Sequence, residues 1–184
     1  PVTRNYVYEW IFHDFLKREG LIGLNYQFVT LNVNGDSRGV YAVEEKSDKI
    51  LIESNSRRNG PIFKFEFSGG IDYENFWDNI RVSPYQKSQW IENNPLLLAE
   101  ATKSLNRFIS GDSSVEEVFD IEKLAKFFAI VDIFSMLHGT IPDGIRLYYN
   151  PITKFFEPIG NDGHFLDKSY PVLVSQLHNF RGEE

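Results

Sequence analysis

Two aspartates stand where a divalent cation or a transferring phosphoryl group could be held. Asp162 lies in Asn161-Asp162-Gly163-His164, directly after the strand-like run Phe155–Ile159. A carboxylate just past a strand end, followed by glycine, suits a hard cation that needs oxygen ligands and close backbone approach. Asp143 lies in the loop His138-Gly139-Thr140-Ile141-Pro142-Asp143-Gly144. The two loops flank one hairpin-like unit, so the carboxylates would converge from its opposite ends, an arrangement used in phosphoryl transfer. Both also read as plain turns, because Asp-Gly is a common turn dipeptide. Arg57-Arg58 with Lys64 could bind an anion or form a solvated patch, and a strand setting would bury the Lys64 stem. Glu44-Glu45-Lys46-Ser47-Asp48-Lys49 reads as a solvated connection. The histidines at 13, 138, 164 and 178 are scattered, with no metal-ligand spacing. His13 reads as a surface residue on a helix face. The nucleophile-elbow, zincin, P-loop and dinucleotide fingerprints are absent.

Composition narrows the classes further. The 184 residues carry 19 basic and 26 acidic side chains, a net charge of −7, which gives no basic footprint for nucleic acid. Hydrophobic residues make up 42% and aromatic residues 15%, ample for one globular core. With no cysteine, disulfides, thiolate metal sites and a cysteine nucleophile are excluded. No apolar run approaches the ~18 residues of a membrane helix. The opening Pro-Val-Thr-Arg would suit a processed protein or an excised segment, and the segment is the favoured reading because a helical pattern follows almost at once.

The elements that must position these residues follow from periodicity. Val7, Ile11 and Phe15, with Tyr8, Phe12 and Leu16, predict a helix over about 4–18, with Glu9, His13, Asp14, Lys17 and Arg18 on its other face and Gly20 as its stop. Residues 26–33 and 39–44 alternate as strands around Asn34-Gly35. Asp36-Ser37-Arg38 lengthens that connection to about five residues, which predicts a bulged hairpin. Pro61–Phe67 alternates strictly, with Phe63, Phe65 and Phe67 on one face and Ile62 and Lys64 on the other. Residues 68–94 show no clear period and read as a surface excursion; their Trp, Tyr and Asn content would also suit a carbohydrate-binding surface. A helix runs from Pro95 to Gly111. Asp120 caps a longer one at 121–137, apolar over most of its circumference and so predicted to be the most buried. Residues 145–149 and 155–159 form a second hairpin. The order of elements is α+β.

Two segments resemble the spore-coat CotH family of kinase-like proteins. One is Leu31-Asn32-Val33-Asn34-Gly35 with Arg38-Gly39-Val40-Tyr41-Ala42-Val43-Glu44-Glu45. The other runs from Arg146-Leu147-Tyr148-Tyr149-Asn150-Pro151 to Glu157-Pro158-Ile159-Gly160-Asn161-Asp162. The resemblance covers about residues 4–164. It implies an atypical protein-kinase fold of antiparallel hairpins packed with helices, its N-lobe incomplete, in a single partial domain. Residues 1–67 would be N-lobe-like, 68–94 the excursion and 95–184 C-lobe-like. It further implies ATP with Mg²⁺ or Mn²⁺, a protein Ser/Thr acceptor, and an exported or surface location. Glu9 would partner the nucleotide lysine, Glu44 and Glu45 would lie near the adenine side, Asp143 would be the catalytic base and Asp162 the metal ligand. Lys64 is the next candidate for a phosphate-contacting cation. The sequence departs from the family pattern in three respects. No Asn follows Asp143 at the expected place, and Asn161 stands where Trp usually precedes the metal Asp. The phosphate-loop and lysine strands would precede Pro1, so the isolated segment is expected not to transfer phosphate. A catalytically inactive interaction module is the alternative these departures favour.

Overall fold

The computed structural model describes residues 6–67, 80–140 and 144–161. It is a mixed α+β fold of antiparallel sheets and helices. The chain begins with α1 (Tyr6–Arg18), closed by Gly20 in the left-handed region (φ 76°). Its inward face is not the predicted one. Glu9, Phe12, His13 and Leu16, spaced i, i+3, i+4, i+7, are buried, whereas Val7, Trp10, Ile11 and Phe15 remain exposed. Two polar residues can face inward because the structure gives each a hydrogen-bonding partner, as described below.

The hairpin of β1 (Tyr26–Val33) and β2 (Asp36–Glu44) forms a separate two-stranded sheet. The five-residue connection expected from the sequence is not seen. Asn34 (φ 53°) and Gly35 (φ 91°) make a two-residue turn, with Val33 paired to Asp36. Positive φ at both positions matches the strands' twist, so the tight turn forms. The extra residue is absorbed higher up, between the Thr30–Val40 and Asn32–Ser37 pairs, where Gly39 has φ 84°. Only Tyr26 of the hairpin is buried; Phe28, Val29, Val40, Tyr41 and Val43 are exposed.

After α2 (Lys49–Ser54) come β3 (Ile62–Phe67) and β4 (Ile80–Pro84). The strand β4 and the following α3 (Lys87–Asn93) fall inside the stretch read as an aperiodic excursion. Four or five residues pairing with a neighbour need too little alternation to register as a strand. Residues 68–79 lie outside the described residues. Then follow α4 (Pro95–Ile109), the single turn α5 (Val115–Val118) and α6 (Ile121–Phe134). The last helix ends earlier than predicted, at Ser135 in the left-handed region (φ 53°), before a 3₁₀ turn at Leu137–Thr140. Nor is it buried all round. Phe127, Ile130, Val131 and Phe134 face inward, but Ile133 is 70% exposed and Phe128 only half-buried.

The strands β5 (Arg146–Tyr149) and β6 (Phe156–Ile159) complete a sheet of order β4-β3-β5-β6, antiparallel throughout. Thus β3 pairs directly with β5, although β4 and the helices α3 to α6 separate them in sequence. One sheet face packs Phe63, Phe65, Leu147, Tyr149 and Phe156 against Leu98, Ala101 and Leu105 of α4. The other packs Ile62, Tyr148 and Ile159 against Ile22, Leu24 and the α2 residues Leu51 and Ile52. A third cluster joins Phe12 and Leu16 of α1 to Phe127, Val131 and Phe134 of α6. The free edge of β6 is closed at both ends by single parallel bridges, Ile22 to Ile159 and Phe119 to Phe156, which removes an exposed edge. Among the described residues no helix is long and apolar enough to cross a membrane.

Candidate active site

The strand end at β6 is held from three directions. Asn161 donates from Nδ2 to the carbonyl of Gly144 (3.0 Å). The Gly160 amide donates to Ile22 O (2.9 Å). Gly160 also lies against α1, where a Cβ would overlap Leu16 Cδ1 and meet His13 Nδ1 at 3.1 Å. A Cβ on Gly139 would overlap the Asn161 carbonyl, and one on Gly144 the His138 carbonyl. At Gly139 and Gly144 glycine is required by close backbone approach, whereas at Gly160 the close neighbours are the Leu16 and His13 side chains.

On α1 the buried residues form a polar row one turn apart. The Tyr26 hydroxyl donates to Glu9 Oε2 (3.0 Å). His13 Nδ1 accepts from the Leu24 amide (3.3 Å), which places the ring proton of a neutral imidazole on Nε2. The Tyr26 ring stacks on His13, with centroids 6.0 Å apart and planes inclined by 18°. His13 is therefore an interior residue, not the surface histidine its helix position suggested. Glu44 pairs in register with Tyr26, and Glu45 Oε2 accepts from the amide (3.2 Å) and side chain (2.8 Å) of Asn25. The structure therefore gathers Glu9, Glu44 and Glu45 around the base of the first hairpin. Lys64 is elsewhere: it sits in the four-stranded sheet opposite Arg146 and contacts Glu66 Oε1 at 2.6 Å. Asp143 and Asp162 lie outside the described residues, each one peptide bond from a described residue, Gly144 and Asn161 respectively.

The sheet beneath is pinned by a buried ionic cluster. Glu157 on β6 accepts from Arg57 Nε (3.1 Å) and Nη2 (3.0 Å) at Oε2, and from Asn150 Nδ2 (2.8 Å) at Oε1. Lys123 of α6 approaches Glu157 Oε1 at 3.6 Å and also pairs with Asp120. Arg57 further donates to the carbonyls of Asn55 (2.7 Å) and Gly20 (2.5 Å). So Arg57, read from sequence as half of an anion-binding pair, already holds an internal carboxylate. Burial works against the charge on Asp120, but the Lys123 ammonium and amide, with Arg57 behind them, hold its carboxyl below the usual range. Burial pushes the phenols of Tyr148 and Tyr149 well up, reinforced by the nearby carboxylates of Glu157 and Glu100 respectively. The Tyr148 hydroxyl donates to Arg58 O (2.5 Å).

His13, Tyr26 and Glu157 are site-supporting residues that sequence reasoning missed, and Arg57 is one to which it gave a different role. For His13 a signal existed, since it follows Glu9 by four residues and completes a heptad-like set with Phe12 and Leu16. Glu157 could have been noticed as a lone charge in an apolar strand. Its partner lies 100 residues away, beyond any local pattern.

Comparison with known proteins gives one family. The family described as CotH kinase protein matches residues 3–162, most of the chain and nearly the span over which the sequence resemblance was drawn. No curated protein matches. Given the extent of the family match, the chain belongs to the CotH kinase family.

Proposed function

We propose that the chain carries an ATP- and Mg²⁺-dependent phosphotransferase site that acts on Ser or Thr hydroxyls of a protein. The observation that supports this reading is the hydrogen bond between Asn161 and Gly144. It joins the strand end that leads into Asp162 to the loop that follows Asp143. In the proposed site Asp143 orients the acceptor hydroxyl and takes its proton, and Asp162 holds the metal. The chain has no thiol, and at this strand end the donors are the Asn161 carboxamide and, next in sequence, the Asp162 carboxylate. An oxygen set of that kind fits Mg²⁺, which takes only one or two protein carboxylates. When bound, the cation neutralises charge on the phosphates. Glu9, held by Tyr26, would pair with a nucleotide-binding lysine, and Glu44 and Glu45 would flank the adenine end.

A thermal-shift titration tests this. ATP with Mg²⁺ should raise the melting temperature of the protein. Asp162→Asn should abolish that rise while leaving the melting temperature without ligand nearly unchanged. Undiminished MgATP binding by the variant would overturn the metal role.

A second reading is a kinase-like module that binds a partner without catalysis. The exposed apolar residues on both faces of the first hairpin, Val40 at 72% foremost, favour it.

A further inference from the structure

The first hairpin has two edges, and they differ in how they are protected. The outer strand β2 carries Asp36, Arg38 and Glu44 and is also broken by an extra residue. Between the Thr30–Val40 and Asn32–Ser37 pairs it advances three positions while β1 advances two, with Gly39 at φ 84°. Charges and a bulge are what keep an exposed strand from pairing with another chain. The strand β1 has neither. Tyr26-Gln27-Phe28-Val29-Thr30-Leu31-Asn32-Val33 contains no charged residue, no proline and no glycine, on a chain whose net charge is −7. Every residue from Gln27 to Val33 is exposed except Leu31, which is half-buried.

Little else supports this strand. Among the described residues its sheet has two strands, so alternate residues of β1 turn their N–H and C=O groups away from β2 with no further strand beside them. The hairpin is anchored at its base, where the Tyr26 hydroxyl reaches Glu9 and its ring stacks on His13. A two-stranded ribbon is marginal alone in water, and a third strand is what stabilises it. A second copy can supply that strand without opposing like charges, because the β1 it brings is equally uncharged.

We propose that two copies of the chain pair β1 against β1 about a two-fold axis, making one continuous four-stranded sheet of order β2-β1-β1-β2. An axis normal to the sheet makes the central pair antiparallel. Centred on Thr30, it sets Thr30 opposite its own counterpart, Val29 opposite Leu31, Phe28 opposite Asn32 and Gln27 opposite Val33, which uses the whole exposed stretch. The protected β2 edges then lie outermost, so assembly closes at the dimer instead of growing into a filament. The proposal rests on the partner-binding reading of the same hairpin and names the partner as a second copy.

Analytical ultracentrifugation of the whole chain tests it. The wild type should sediment as a dimer. Thr30→Lys and Thr30→Glu each place like charges across the axis, and each should weaken dimerisation about tenfold or more. An equimolar mixture of the two variants should restore the dimer, and that recovery excludes misfolding as the cause of the loss. Val40→Lys, beside Thr30 but on the outer strand, should leave the dimer unchanged. A wild type that is monomeric across the micromolar range would overturn the proposal and leave the partner-binding reading to a different chain. A dimer that persists in both position-30 variants, that does not return on mixing, or that Val40→Lys also breaks would overturn the β1 pairing.

Discussion

Glu157 shows how one side chain can tie distant parts of the chain together. Its carboxylate, 2% exposed, receives Arg57 from the segment before β3, Asn150 from the β5–β6 turn and Lys123 from α6. Removing its charge leaves the partly buried Arg57 guanidinium without its carboxylate, while Lys123 keeps Asp120. Breaking a buried ion pair by removing one partner costs about 3–5 kcal/mol. Glu157→Gln should lower stability to denaturant by that order, and an unfolding midpoint like that of the wild type would show the cluster to be dispensable. Little of this was legible locally, because Arg57 and Lys123 come from segments that meet Glu157 only after folding, and only Asn150 shares its hairpin. The α1 helix was misread for a related reason. Binary patterning assigns Glu9 and His13 to solvent, and their burial depends on Tyr26 and Leu24, which belong to the next segment.

At the scale of elements, periodicity served well where an element's character is set within its own length. Both hairpins, α1, α4 and the Phe63/Phe65 face of β3 lie close to where alternation and helical spacing put them. It failed for β4, whose identity comes from pairing with β3, and it overstated the burial of α6. That helix is apolar nearly all round, yet its buried residues face Phe12 and Leu16, Leu124 reaches the sheet cluster and Ile133 is left exposed. Its energetics should follow the packing and not the composition. Phe127→Ala, at a fully buried position, should cost about 3–5 kcal/mol. Ile133→Ala on the open side should stay within ~0.5 kcal/mol. Equal losses at the two positions in chemical denaturation would mean that the outer face is covered in solution.

For the molecule as a whole, the antiparallel sheet is the common frame, and its centre sets an alkaline limit. Tyr148 and Tyr149 are adjacent on β5, buried on opposite faces, each with a phenol pushed above its ordinary value by burial and by a neighbouring carboxylate. The unfolded chain releases these protons at about pH 10, the folded one only at higher pH. Their stabilising contribution is therefore complete below about pH 10 and is lost as pH rises from there toward the raised values. The melting temperature should fall steeply above pH 10, and Tyr149→Phe should flatten that fall. A profile equally steep in the variant would assign the transition to other groups.

The contact of Gly160 with Leu16 makes two positions 144 residues apart share one parcel of space. A side chain at 160 would press on Leu16 and His13, so it requires the Leu16 side chain to shift or to be replaced by a smaller one. The same shared volume couples their motions. A larger residue at 160 would therefore push on the helix that bears Glu9 from the strand end that leads to Asn161.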